Sequence, residues 1–298
     1  MNAIEVLHKA ASKVKYQHLI SILEAQADFP YAIIKGEVLS CQAYGAPGKR
    51  QSGDIDVLVD KRDVRALEKL LTANGFTTAK LSRQEQIVAR AFSHQMAPYR
   101  KELPMATLEV DINYDIVWGE WQGARPDIRE ILSRRETVEV YGQAVPALAA
   151  QDAFIQLCLH HYKDMNTLFH LAEHNSITKK AFQDVAGFWQ RQKDKMDLQA
   201  LADWVKQYEL EPYFYYIAYW TDFVCQVPDL AAWAGQMETE KGRALLNCFG
   251  LTEEERKEWP IPMEQRLDFE GLHQLVQQMM TEADRKKHDQ NQRIFSSL

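Results

Sequence analysis

The chain is poor in the features that mark several large protein classes. It has four cysteines in 298 residues, Cys41, Cys158, Cys225 and Cys248, widely scattered and without a C-x-x-C pair. That spacing speaks against a disulfide framework or a cysteine zinc site and fits free thiols in a reducing cytoplasm. No apolar run approaches the ~18 residues that suggest a membrane span, and the opening MNAIEVLHKAASKVKYQHLI has no long apolar core. The expectation is a soluble, cytoplasmic protein with no membrane partner. Basic charge is not in excess either: 35 Lys and Arg against 42 Asp and Glu leave a formal net charge of −7. A surface that grips nucleic acid throughout would need the opposite balance. A tRNA partner stays open, because Lys49, Arg50, Lys61 and Arg62 form a local basic bracket around the acidic motif described below. G-x-S-x-G, Walker-type and dinucleotide fingerprints are absent, as are repeats and low-complexity tracts. Hydrolase and kinase readings therefore have no support.

What is present is an ordinary globular composition, 46% apolar and 26% charged, in a chain long enough for two domains. Apolar positions at helical spacing run from residue 4 to 26, as one helix or two. YAIIKGEVLS (31 to 40) reads as a short buried strand, a break at Gly36 and a helix start, followed by the loop AYGAPGKRQSG. RDVRALEKLLTANGF is an amphipathic helix with Val64, Leu67, Leu70 and Leu71 on its apolar face, closed by Asn74 and Gly75. A basic, polar stretch from Lys80 to Lys101 has no clear period. TLEVDINYDIVW alternates, with Leu108, Val110 and Ile112 on one face and Glu109, Asp111 and Asn113 on the other, and TVEVYGQAVPAL reads as a hairpin turning at Gly142. From Pro146 onward the pattern is almost wholly helical, beginning with AAQDAFIQLCLHHYKDM. The expected organisation is a mixed α/β unit over 1–147 and a mostly α-helical domain over 148–298.

The chemistry concentrates in GKRQSGDIDVLV. Ile55, Val57 and Val59 alternate with Asp54, Asp56 and Leu58 after a Ser52–Gly53 turn, so the spacing predicts a strand with both aspartates on one face. Same-face residues lie ~6.6–7 Å apart along a strand, close enough to converge on something small. Alone, the carboxylates repel; a divalent cation removes the repulsion, and carboxylates with substrate phosphates are a common way to hold Mg²⁺. The bland alternative is a solvated strand edge with Asp as a turn residue.

K-G after the first strand, a Gly-containing loop, R-x-S-x-D-I-D at Arg50 to Asp56 and the later acid in EVDIN together resemble the polymerase-β-type nucleotidyltransferase superfamily. Within it, the chain is similar to a family of bacterial nucleotidyltransferases. The resemblance covers motifs over roughly residues 31 to 115. It implies a small mixed sheet flanked by helices, a glycine turn for a triphosphate and three carboxylates for two Mg²⁺ ions. On that pattern Asp54 and Asp56 bridge the metals and Asp111 is the third acid, with Glu109 in reserve. Gly36 provides backbone approach to the phosphates, Lys35 or Ser40 compensates charge, and Arg50 and Ser52 reach phosphate oxygens. The implied substrates are an NTP, with ATP first by abundance, and a small-molecule or peptide acceptor held by the helical domain. The alternatives are a toxin-like enzyme modifying tRNA or protein, and a nucleotide-binding regulator without turnover. The chain departs from the pattern at Glu37, where relatives carry Gly or Ser, in a longer loop before Asp54, and at Asn113, where relatives tend to show histidine. Glu37 is expected to face away from the metals as a helix-start acid.

Three other groups compete for a role. His170 and His174 are four apart but have no evident third metal ligand, so capping or surface histidines are expected. His160 and His161 follow an apolar helix stripe and either line the cleft or serve structure. Tyr213, Phe214, Tyr215, Tyr216, Tyr219 and Trp220 have the spacing of core packing rather than of a base-stacking platform.

Overall fold

The structure is a computed structural model that describes residues 3–50, 52–79, 97–104, 106–174 and 176–295. The first half alternates helices and strands: α1 (Ala3–Gln26), β1 (Tyr31–Ile34), α2 (Gly36–Tyr44), β2 (Ile55–Val59), α3 (Val64–Ala73), β3 (Thr77–Thr78), β4 (Tyr99–Leu103), β5 (Ala106–Asn113), α4 (Ile128–Ser133), β6 (Glu136–Val140) and β7 (Gln143–Ala147). The strands form one mixed seven-stranded sheet in the order β3-β4-β5-β2-β1-β7-β6. β1 runs antiparallel to β2 and parallel to β7, whereas β2 and β5 are parallel.

After Ala147 the chain is helical: α5 (Ala150–Asn166), α6 (Leu168–Glu173), α7 (Lys179–Gln192), α8 (Leu198–Gln207), α9 (Glu211–Cys225), α10 (Pro228–Ala234) and α11 (Glu240–Leu245). A two-residue hairpin pair, β8 (Cys248–Phe249) and β9 (Lys257–Glu258), precedes α12 (Met263–Arg266), α13 (Leu272–Met279) and α14 (Glu282–Phe295). The architecture is thus a mixed sheet with flanking helices followed by a largely helical region. Among the described residues no helix is long and apolar enough to cross a membrane, and the four cysteines are free.

The two faces of the sheet have different partners. Ile55, Val57, Val59, Val110 and Ile112 pack with Leu19, Ile20 and Leu23 of α1 and Leu67 and Leu71 of α3. Ala32, Ile34 and Leu58 point the other way and share a core with Phe154, Leu157 and the helices beyond. This is the period-2 alternation of a strand covered on both sides. The face carrying Asp56 and Asp111 is therefore the one that meets the helical region.

Several local signals fold as their chemistry dictates. Residues 3–26 form a single helix. The turn between β6 and β7 puts Tyr141 at φ 55° and Gly142 at φ 80°, the pair of positive values that a two-residue hairpin turn of matching twist requires. α3 ends where Gly75 takes φ 82°. Two boundaries differ from the sequence pattern. β2 begins at Ile55, leaving Asp54 in the preceding bend. In the basic stretch Lys80 to Lys101, residues 80–96 lie outside the described residues, while Tyr99–Leu103 is β4, pairing with β5 through Tyr99↔Val110. Its alternation was hidden by three charged residues in a row, Arg100, Lys101 and Glu102.

Candidate active site

The site is built on the ends of three neighbouring strands. The parallel register of β2 and β5 sets Asp56 beside Asp111, and the antiparallel register of β1 sets Ile34 beside Asp56. Lys35 follows directly at φ 58°, a conformation uncommon for a residue with a side chain, and Gly36 continues the turn at φ 44°. α1 braces this turn from behind. The Glu37 amide donates to the Tyr16 hydroxyl at 3.1 Å, and Lys15 Nζ donates to Gly53 O at 2.7 Å. A Cβ at Gly36 would lie 2.9 Å from the Tyr16 oxygen and 3.5 Å from Ser52 Oγ, so only glycine fits there without displacement.

Lys35, Asp54, Asp56 and Asp111 line one cavity of about 240 Å³. Asp56 is 4% exposed; it accepts from Lys35 Nζ at 2.8 Å and from Asn113 Nδ2 at 3.1 Å. Burial works against the Lys35 ammonium, yet facing Asp56 it stays above its usual range; burial also pushes the Asp56 carboxyl up, with the Lys35 charge opposing that rise. The Asp54 carboxylate accepts from Ser52 Oγ at 3.0 Å. Burial first, then the charges of Asp56 and Asp54, push the Asp111 carboxyl up to about 7. Negative charge is thus crowded here beyond what Lys35 neutralises.

The opposite wall comes from the helical region: His160, Lys163, Asp164 and Thr167 on α5 and just beyond it, with Phe169 and His170 of α6 and Asn291 of α14. Burial alone would raise the Asp164 carboxyl, but His160 at 3.3 Å, Lys163 at 3.6 Å and His170 at 3.5 Å hold it well below the usual carboxylate range. Burial pushes the His160 imidazole well below its ordinary value, and its Nδ1 is buried without a hydrogen-bond partner among the described residues. The sequence carried a signal for this wall. Residues 160, 163, 164 and 167 are polar at i, i+3, i+4 and i+7, which puts them on one side of the helix end.

Other residues picked out by the motif stand elsewhere. Ser40 Oγ donates to Ala46 O at 2.8 Å and accepts from the Lys49 and Arg50 amides at 3.0 and 3.1 Å, which shapes the loop rather than the cavity. Arg50 Nε bonds Asp184 of α7 at 2.8 Å, and Asp184 also accepts from Tyr44. Glu37 is turned away from the aspartates: its carboxylate accepts from the Gly48 amide and, at 2.8 Å, from the Tyr141 hydroxyl. Glu109 pairs with Arg100 at 2.7 Å. His170 reaches the cavity and His174 does not line it. Tyr213, Phe214, Tyr216 and Trp220 are core residues, while Tyr219 is exposed. No group of three or more metal-ligating side chains stands ready formed among the described residues.

Solved structures similar to the chain include a candidate nucleotidyltransferase from Thermotoga maritima, 18% identical over 44% of this chain and 75% of that one, with a TM-score of 0.30. The antibiotic-resistance factor ANT(2'')-Ia is 10% identical over 67% of this chain and 95% of that one, with a TM-score of 0.36. An antigenic nucleotidyltransferase-like protein from Paracoccidioides brasiliensis is 16% identical over 76% and 91%, also with a TM-score of 0.36. No curated protein matches the sequence. A family described as "Uncharacterised nucleotidyltransferase" matches residues 5–223, well over half of the chain. The chain therefore belongs to that family, within the polymerase-β-like nucleotidyltransferase superfamily.

Proposed function

We propose that the protein is a metal-dependent nucleotidyltransferase that moves a nucleoside monophosphate from an NTP, ATP being the first to test, onto a small-molecule or peptide acceptor. The observation that carries this reading is the meeting of Asp54, Asp56 and Asp111 with lysines from opposite walls, Lys35 and Lys163, around one cavity. Carboxylate oxygens are the donors a hard cation such as Mg²⁺ takes. The upward shift of Asp111, caused by burial and then by its acidic neighbours, marks the excess negative charge that such an ion offsets. Divalent cations held by Asp54, Asp56 and Asp111 would supply charge neutralisation for the triphosphate and for the departing pyrophosphate.

The chain's own residues do the rest. Lys35 exchanges Asp56 for a phosphate oxygen, and Lys163 binds phosphate from the helical side. Asn113 keeps its hydrogen bond to Asp56, and Ser52 keeps Asp54 oriented, so neither carboxylate turns away when Lys35 leaves. An acceptor oxygen bonds the α-phosphorus, the bond to the bridging oxygen breaks, pyrophosphate leaves, and the acceptor proton passes to the aspartate cluster. Residues 1–147 form the catalytic unit and 148–298 the closing wall. Gly36 serves by letting the turn pack tightly against Ser52 and Asp54.

Thermal shifts with each NTP, with Mg²⁺ and then with EDTA, test the binding half, and pyrophosphate release tests the chemistry. One NTP should raise the melting temperature only with Mg²⁺, and Asp111→Asn should abolish pyrophosphate release. The proposal fails if no NTP shifts the transition in the presence of Mg²⁺. A metal-dependent shift with no turnover on any acceptor would favour the regulator reading instead.

A further inference from the structure

Beside the aspartate cavity lies a second one, of about 480 Å³, with which it shares the lining residues Trp118, Glu120 and Leu251. The two spaces differ in the sign of the charge they can accept. The first offers Lys35 and Lys163 to phosphates; the second is lined by four carboxylates, Glu120, Glu209, Glu253 and Glu254, against two cations, Lys241 and Arg256. Arg256 is taken by Glu253 at 3.4 Å and Glu120 by Lys287 at 3.5 Å, while Glu209 and Glu254 form no ion pair among the described residues. A triphosphate is repelled by such a rim, and an organic cation is drawn to it.

The inner wall of the second cavity is aromatic. Trp118, Trp121 and Tyr213 meet edge to face, with ring centroids 5.1 to 5.6 Å apart. Rings set at right angles do not make the flat platform on which a base stacks. They do suit a cation, and the protein places one of its own there: Lys241 Nζ lies 5.4 Å from the Tyr213 ring centroid, within cation–π range. Trp118 is 3% and Tyr213 4% exposed. Neither the Trp118 indole N–H nor the Tyr213 hydroxyl bonds another described residue, and neither atom is fully enclosed, so both are open to the cavity their rings line. Both groups thus face the cavity, where water or an entering molecule completes their hydrogen bonds.

We infer that the second cavity is the acceptor subsite, and that the acceptor is a small organic cation bearing a hydroxyl. Its ammonium or guanidinium group sits against Trp121, Tyr213 and the carboxylates of Glu209 and Glu254, the latter also accepting from the Thr252 side chain. Its hydroxyl passes Trp118, the wall common to both cavities, to face the aspartates. The word acceptor rests on the nucleotidyltransferase reading above; the cation specificity of the pocket does not.

Choline and its uncharged isostere 3,3-dimethylbutan-1-ol differ in one atom and one charge, and spermidine adds a longer cation. Each is titrated by tryptophan fluorescence and calorimetry, with and without Mg²⁺ and ATP. Choline and spermidine should bind, and the neutral isostere should bind about tenfold more weakly. Glu209→Gln/Glu254→Gln, at two exposed positions, should weaken both cations severalfold. The inference is overturned if neither cation binds at millimolar concentration, if choline and its isostere bind equally, if the double variant binds like wild type, or if Mg²⁺ and ATP compete with the cations. Asp54→Asn separates the two proposals, because it should keep cation binding while losing the metal-dependent nucleotide response. Cation binding in a wild-type protein with no such response would sink the transferase reading and leave the pocket standing. The reverse pattern would sink the pocket alone.

Discussion

Neutralising Asp56 should weaken the metal-free protein, the opposite of what repulsion between neighbouring carboxylates alone would produce. Like charges facing one another on a sheet cost ~0.2–1 kcal/mol, so relieving Asp56 of Asp54 and Asp111 returns at most ~2 kcal/mol. Against this stands the ion pair with Lys35, whose side chain is 10% exposed against 4% for Asp56. Burial opposes the Lys35 charge, and Asp56 is the chief group that upholds it. Removing one partner of a buried pair costs ~3–5 kcal/mol, because the other charge is stranded. The amide oxygen of Asn can still accept a hydrogen bond from Lys35 or Asn113, which restores ~1 kcal/mol. The middle of these values leaves Asp56→Asn less stable by ~2 kcal/mol. Urea unfolding in EDTA, followed by tryptophan fluorescence, measures it. Asp54→Asn, at a partly exposed bend, should stay within ~0.5 kcal/mol of wild type. Lys35→Met/Asp56→Leu, which removes both charges, should recover most of what Asp56→Asn loses. The reasoning is refuted if Asp56→Asn matches or exceeds wild type and the double variant falls below it.

Two further outcomes follow from the turn and from the contact between the two halves of the chain. Asp184 is 1% exposed; burial pushes its carboxyl up, but His161, Arg50 and Tyr44 outweigh burial and hold it at about 2, against an ordinary 3.8. A carboxyl depressed by folding contributes stability that is complete above its unfolded value and is lost as pH falls through the folded one. Asp184 should therefore supply ~2 kcal/mol that disappears between pH ~4 and ~2. Acid titration of the urea midpoint should be shallower in Asp184→Asn, and an unchanged slope would rule out this role. Gly36→Ala forces a side chain onto φ 44° and brings its Cβ to 2.9 Å from the Tyr16 hydroxyl; it should cost ~1–2 kcal/mol from the backbone alone. Tyr16→Phe in that background should recover part of the loss, and a Gly36→Ala protein as stable as wild type would contradict the packing.

The elements legible in the sequence are those whose cause is local. The alternation of Ile55, Val57 and Val59 with Asp56 and Leu58, the helical stripe through Val64 and Leu71, and the Tyr141–Gly142 turn each follow from backbone geometry over a few residues. The aspartate motif was legible for the same reason: one strand, one bend and a register that a parallel neighbour completes with Asp111. What the side chains do depended on pairings across long stretches of chain. Arg50, beside the motif in sequence, is drawn off by Asp184, 134 residues away, and Ser40 is used up by its own loop. Lys35 was expected as a phosphate group and is found holding Asp56, which reverses the sign of the stability effect there. The wall of His160, Lys163 and Asp164, and the joining of Trp118 to Tyr213, exist only once α5 and α9 pack over the open end of the sheet. Strand and helix periods are set by bonds between near neighbours. The charge and shape of a cavity are set by whichever distant surfaces burial brings together.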